Sequence, residues 1–181
     1  VVVASTHKSL LAPPGLGILA VAEGVDLPPT RFGGTGSSIA LDRQPSEWPE
    51  AMESGTPNTP AILGLGAALE FIENRGRDKI LRDELAILDQ LRLALQDRAL
   101  CYGPATGPRI PVLSFNMPEL DAAEVGMILG SADIHVRTGF HCAPWIHEHL
   151  GTQTAGTVRI SVGPFTSQAD ILAVTTALAD K

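Results

Sequence analysis

No apolar run in this chain approaches the roughly 20 residues that a membrane-spanning helix needs. Positive charge is scarce: 13 Lys and Arg stand against 20 Asp and Glu, a net charge of -7. Nucleic-acid binders usually present a basic face, so this balance argues against that class. Cysteine is nearly absent, with only Cys101 and Cys142 and therefore one disulfide at most. The first residues lack the basic start of a signal peptide. The chain begins without a methionine, however, which leaves the targeting of any longer polypeptide open. Internal repeats and low-complexity tracts are missing too. Only 18% of residues are charged while 44% are hydrophobic, which excludes disorder and implies a packed core.

The apolar residues that are present fall into patterns. Val1 to Ala4 and Gly17 to Ala22 read as two buried strands of a sheet covered on both faces. Pro28 to Glu50, rich in Gly, Pro, Ser and Thr, reads as an extended surface loop. Ile62, Leu63, Leu65, Gly66, Leu69 and Ile72 then recur at helical spacing until Asn74-Arg75-Gly76 breaks the pattern. A second helix is expected from about Arg77 to Arg98, with Ile80, Leu81, Leu85, Leu88, Leu91 and Leu95 as its apolar stripe. Further along, the pattern predicts strands over Ile110 to Phe115, Ile134 to Val136 and Thr157 to Val162. Helices are expected over Asp121 to Ser131 and Ser167 to Ala179, the latter with Ser167 as N-cap and Asp170 three residues on. With Gly103 to Pro108 as a hinge-like loop, the alternation describes an α+β sandwich.

Four features carry chemistry. Lys8 follows an apolar strand whose last residues turn polar. A lysine at a strand end ordinarily snorkels to solvent. A lysine that attacks an aldehyde must lose its proton, which favours partial burial near positive charge. Gly33-Gly34-Thr35-Gly36-Ser37 is a simple flexible turn or a cradle of backbone amides for an anion. Cys142 stands in Arg137-Thr138-Gly139-Phe140-His141-Cys142-Ala143-Pro144, which reads as a mobile loop with positive charge beside the thiol. Arg159 is isolated on an apolar strand, sharing a face with Thr157 and Ser161. It is either a salt-bridge partner or a clamp for a carboxylate. His141, Cys142, His147 and His149 are zinc-ligand types, but their spacing matches no closed zinc motif, and Trp145-Ile146 between them reads as packing. No metal is assigned. Cys101, beside Tyr102 at a helix end, reads as structural.

Taken in order, five stretches resemble the class V aminotransferase-fold enzymes that use pyridoxal 5'-phosphate, and within them the cysteine desulfurase and selenocysteine lyase group. They are Ser5-Thr6-His7-Lys8, Arg31 to Ser37, Glu53-Ser54-Gly55-Thr56-Pro57-Asn58, Arg137 to Pro144, and Gly156-Thr157-Val158-Arg159-Ile160-Ser161. The resemblance implies an α/β, fold-type I PLP-dependent transferase. Residues 1–75 would be the C-terminal part of the PLP-binding large domain, and residues 76–181 the small C-terminal α+β domain. The chain would then be the C-terminal half of such an enzyme, with the N-terminal half supplying the ring that stacks on the cofactor and the aspartate that meets its pyridine nitrogen.

The same resemblance implies the site. Lys8 would carry the cofactor as a Schiff base, with Ser5, His7, Gly34 and Thr35 around its phosphate. Cys142 would accept sulfur with His141 beside it, and Arg159, assisted by Arg137, would hold the substrate carboxylate. The implied reaction converts L-cysteine to L-alanine through a persulfide on Cys142, and a sulfur-acceptor protein or thiol then collects the sulfur. The glycine-rich loop would reach the cofactor of a neighbouring subunit in a homodimer, and a free thiol suits a reducing cytoplasm. The rivals are selenocysteine lyase, another reaction of the same scaffold, and a catalytically inactive fragment. Phe165-Thr166-Ser167 stands where the family often has an aromatic-Asn-Thr sequence, a change expected to alter a helix cap.

Overall fold

Apolar β-branched residues at the start of the chain pair as expected, but as a hairpin. The computed structural model describes residues 1–34 and 43–179. Their contacts divide between two units, Val1–Arg75 and Gly76–Lys181.

In the first unit, β1 (Val2–Ser5) runs antiparallel to β2 (Gly17–Ala20), with Ser5 opposite Gly17 and Val2 opposite Ala20. The expectation of burial is corrected: Val1, Val2 and Val3 are 63–75% exposed. Among the described residues the sheet has only these two strands, so nothing further covers the valines. A one-turn 3-10 helix spans Glu50–Met52. Gln44 ties the preceding loop to it, accepting from the Gly33 amide at 3.0 Å and donating to Ala51 O at 2.6 Å. The long helix α1 covers Thr59–Arg75. Asn58 Oδ1 accepts the Ala61 amide at 3.3 Å, which satisfies one of the donors a helix start leaves open. Gly64 of α1 sits so close to Pro13 that a Cβ would lie 2.6 Å from the proline ring. The missing side chain is what lets the Pro-Pro turn lie on the helix.

The second unit is an antiparallel sheet backed by helices. α2 (Arg77–Leu95) follows Gly76, whose φ of 85° is open to glycine and breaks the two helices apart. The sheet joins β3 (Leu100–Tyr102), β4 (Val112–Asn116), β6 (Thr157–Ser161) and β5 (Arg137–Gly139) in that order. α3 (Ala122–Ser131) and α5 (Gln168–Ala177) complete the backing, and a short α4 (Pro144–Leu150) lies between β5 and β6. Alternation in β4 and β6 points Leu113, Phe115, Val158 and Ile160 into the core. There they meet Leu91 and Leu95 of α2, Val125 and Leu129 of α3, and Ile171 and Val174 of α5. Each fully buried side chain of this kind contributes about 1.5–3 kcal/mol.

Both capped helices begin where the polar signals lie. Asp121 Oδ1 accepts the Glu124 amide and Glu124 Oε2 accepts the Asp121 amide, each at 2.8 Å. Asp170 Oδ2 accepts from both the amide (2.7 Å) and the hydroxyl (2.8 Å) of Ser167.

Three sequence expectations are corrected. The strand expected over Ile134 to Val136 falls on Arg137–Gly139, because only there does the backbone pair with β6. Cys101 lies on β3 opposite Phe115 rather than at a helix end. Trp145 and Ile146 do not pack: they are 83% and 48% exposed on α4, a helix the sequence pattern did not predict.

Candidate active site

The lysine turn of the first unit is built around Thr6. Its side chain is fully buried, and its hydroxyl (2.9 Å) and amide (3.4 Å) both donate to Leu16 O. Thr6 O in turn accepts the Ala12 amide at 3.0 Å, and Lys8 O accepts the Leu11 amide at 2.9 Å. These bonds close the segment into a compact turn, with Ser5, His7 and Lys8 exposed on it. Lys8 forms no ion pair among the described residues. The partial burial expected for it is not provided by the described residues. Gly34 O accepts the Gly55 amide at 2.6 Å, whereas Thr35 lies outside the described residues.

The cysteine belongs to the second unit, at the end of β5. Phe140 O accepts the Ala143 amide at 2.9 Å, and the two residues between, His141 and Cys142, have φ of 53° and 61°. This is the signature of a type I′ turn, which neither side chain favours. Each left-handed non-glycine residue costs of order 1–3 kcal/mol and persists only where its surroundings hold it. The expected mobile loop is thus a hydrogen-bonded corner, and it leaves Cys142 exposed. Arg137 Nη2 lies 3.8 Å from Cys142 Sγ. The base of the turn is held by Gly139 and Gly156, which approach so closely that a Cβ on Gly156 would meet Gly139 O at 2.3 Å.

His141 is half-buried, and its Nε2 lies 3.0 Å from both Thr157 O and Thr157 Oγ1. A carbonyl only accepts, so Nε2 carries the proton and Nδ1 is bare; that buried Nδ1 has no partner among the described residues. Burial lowers the His141 pKa from its ordinary value, and the nearby Arg159 charge lowers it further. The neutral ring is the form this setting favours.

Arg137 and Arg159 are directly opposite one another on β5 and β6, and Ser114 of β4 faces Arg159 from the other side. Like charges directly opposite destabilise a sheet. Neither arginine is in an ion pair among the described residues, and the buried Nε of Arg159 lacks a partner. Of the two roles open to Arg159, the salt bridge within the fold therefore finds no partner here. Two arginines at directly opposite positions, neither in an ion pair among the described residues, leave positive charge on this part of the sheet without a partner there.

Arg137, His141, Cys142 and Arg159 are thus brought together on one unit, and Ser5, His7, Lys8 and Gly34 lie on the other. Sequence reasoning gave no role to Thr152 or His147. His147 is 2% exposed, and its Nδ1 is 2.8 Å from Thr152 Oγ1. The available signal was a histidine followed five residues later by a threonine across the Gly151 helix stop. Among the described residues no group of three His, Cys, Asp or Glu side chains is placed to hold a metal ion. Cys101 is half-buried, and burial pushes its thiol pKa up, with Arg92 opposing.

A family model described as aminotransferase class-V matches residues 1–174. Cysteine desulfurases of Salmonella typhi and Salmonella typhimurium are 40% identical over 149 residues, 77% of this chain and 35% of each relative. The apo cysteine desulfurase of Thermococcus onnurineus NA1 superposes on 98% of this chain and 46% of its own, at 33% identity and a TM-score of 0.88. The Escherichia coli cysteine desulfurase CsdA, solved in an S-sulfonic acid form, shares the fold at a TM-score of 0.84 and 24% identity, over 98% of this chain and 45% of its own. The chain spans less than half the length of these relatives.

Proposed function

The chain belongs to the aminotransferase class-V family, and on that premise we propose that it carries the cofactor lysine and the sulfur-accepting cysteine of a PLP-dependent cysteine desulfurase. Its α/β architecture is that of the fold-type I cysteine desulfurases it matches. One observation carries the reading: an exposed thiol at a hydrogen-bonded corner, 3.8 Å from a guanidinium whose cross-strand neighbour is a second arginine. A thiol open to approach and beside positive charge is placed to react.

Residues 1–75 supply the cofactor-binding part and residues 76–181 the small domain. The donor set of the first unit fits pyridoxal phosphate: a primary amine without an acidic partner among the described residues, and beside it an exposed serine and an exposed histidine. Lys8 would hold the aldehyde carbon, and Ser5, His7, Gly34 and Thr35 the phosphate. When bound, the cofactor supplies the electron sink that makes the substrate Cα proton labile and its Cβ–sulfur bond breakable.

The remaining roles fall to the protein. Arg159, with Arg137, holds the L-cysteine carboxylate. Lys8 Nζ takes the Cα proton. The Cys142 thiolate attacks the substrate sulfur, so that an S–S bond forms as the Cβ–S bond breaks. The bonding pair stays with Cβ, which takes up a proton; L-alanine departs and Cys142 keeps a persulfide. His141 orients the turn during attack. A thiol or acceptor protein then removes the outer sulfur. The resemblance of the Gly33 to Ser37 segment supports a homodimer in which it meets the neighbouring subunit's cofactor, and the free thiols suit the cytoplasm.

In the intact polypeptide, Cys142→Ser is expected to bind L-cysteine normally and release almost no alanine. Near-normal alanine formation by that variant would remove the persulfide route through Cys142 and favour a lyase reaction of the selenocysteine-lyase kind that proceeds without this thiol.

A further inference from the structure

Beneath the cysteine turn lies an imidazole that the reaction does not use. His147 is 2% exposed, yet it is a histidine rather than the apolar side chain such a position ordinarily holds. Its ring touches both residues that open the turn: edge-on to Phe140 with centroids 5.3 Å apart, and tilted against His141 at 5.7 Å. Its Nε2, like Nδ1 of His141, is buried without a partner among the described residues. We propose that His147 is a positioning residue, which fixes the His141 ring and through it the strained turn presenting Cys142.

The hydrogen bonds form a closed circuit. His147 O accepts the Thr152 amide and His147 Nδ1 meets Thr152 Oγ1, each at 2.8 Å. Thr152 O accepts the Gly156 amide at 2.8 Å. The next residue, Thr157, holds His141 Nε2 through both its oxygens. The ring contact between His141 and His147 completes the circuit. Phe140, whose ring also meets His147, accepts the bond that closes the turn. Two consecutive left-handed residues need such an over-determined setting, and His147 is the side chain that reaches both sides of it.

The charged and titratable groups facing His141 are Arg159 from β6, His147 from α4 and Arg137 from β5, with the Cys142 thiol next in the chain. All three facing groups oppose a charge on the ring, in keeping with its lowered pKa. A His141 ring no longer fixed by the His147–Thr152 bond would move toward solvent, which relieves the burial that contributes most to that lowering.

The proposal rests on the sulfur-transfer reading of Cys142, but one arm of its test does not. In the intact holoprotein, the NMR titration of the His141 ring is followed in wild type, His147→Leu, His147→Asn and Thr152→Val, alongside L-cysteine turnover. Leucine fills the space without the Thr152 bond, and asparagine keeps a polar group at the Nδ1 position. Thr152→Val removes the partner alone and reads the same contact should the leucine variant not fold. The expected result is a His141 midpoint shifted upward in His147→Leu and Thr152→Val and restored in His147→Asn. Turnover in the first two is expected to fall about 10- to 100-fold with KM unchanged, the scale of a small misplacement of a reacting group. Unchanged His141 midpoints in His147→Leu and Thr152→Val would overturn the proposal, as would an asparagine variant as impaired as the leucine one. A shifted midpoint in a protein that releases no sulfur supports the positioning role while removing the desulfurase reading.

Discussion

Replacing Arg159 by glutamine separates its charge from its place in the sheet. Arg159 lies opposite Arg137 and carries a buried Nε without a partner among the described residues. As a carboxylate clamp it contributes a charge-assisted hydrogen bond worth about 1.5–3 kcal/mol. At 1.4 kcal/mol per tenfold, its loss raises KM for L-cysteine about 10- to 150-fold. The fold responds in the opposite direction. Removing one of two directly opposed cations relieves roughly 0.2–1 kcal/mol, and the exposure of Arg137 puts the effect at the low end. Steady-state kinetics and thermal unfolding of the same preparation give the two numbers. The expected pair is a weaker substrate interaction with a melting temperature unchanged or slightly raised. A melting temperature lowered by several degrees with KM unchanged would refute the reasoning and make Arg159 a structural residue.

Limiting iodoacetamide near neutral pH is expected to label Cys142 well before Cys101, because Cys142 is exposed while burial raises the Cys101 pKa; peptide mapping of the first label reads the order. Asp121→Ala removes the cap of α3 and is expected to cost about 1 kcal/mol in urea unfolding with no change in KM, since the capping box touches no site residue. His141 titrates lower in the folded chain than in the unfolded one, so the unfolded state binds its proton first. Its contribution is therefore full above the ordinary value of about 6.5 and is lost as pH falls through the lower folded value. Urea unfolding of wild type and His141→Gln across that range should show the difference between them shrink on acidification, and a pH-independent difference would contradict it.

Much of this was legible in the sequence where one side chain decides the outcome. The α2 stripe foretold Leu88, Leu91 and Leu95 in the core, and Ser167 with Asp170 foretold the start of α5. Gly76 marked the break between the two long helices because its positive φ suits few other residues. The errors arose where pairing decides. Ile134 and Val136 are apolar and pack against the core, yet the ladder forms on Arg137–Gly139, which backbone register alone selects. β3 follows a helix with no turn residue to announce it. α4 hid because Trp145 and Ile146 face solvent, although Pro144 at its first position and left-handed Gly151 after its end were usable signals. At the site, Cys142 and Arg159 were readable as residue types in a motif. The turn that strains Cys142, and the His147 ring beneath it, depend on contacts that no spacing encodes.

The central claim is that Cys142 takes sulfur from L-cysteine. The direct measurement is the mass of the Cys142 peptide after the intact, PLP-loaded protein meets L-cysteine with no acceptor thiol present. The account predicts a gain of one sulfur atom on Cys142, removed by a reducing thiol and matched by one L-alanine formed. Alanine released in repeated turnovers with Cys142 never heavier, or the added sulfur found on Cys101 instead, would contradict it.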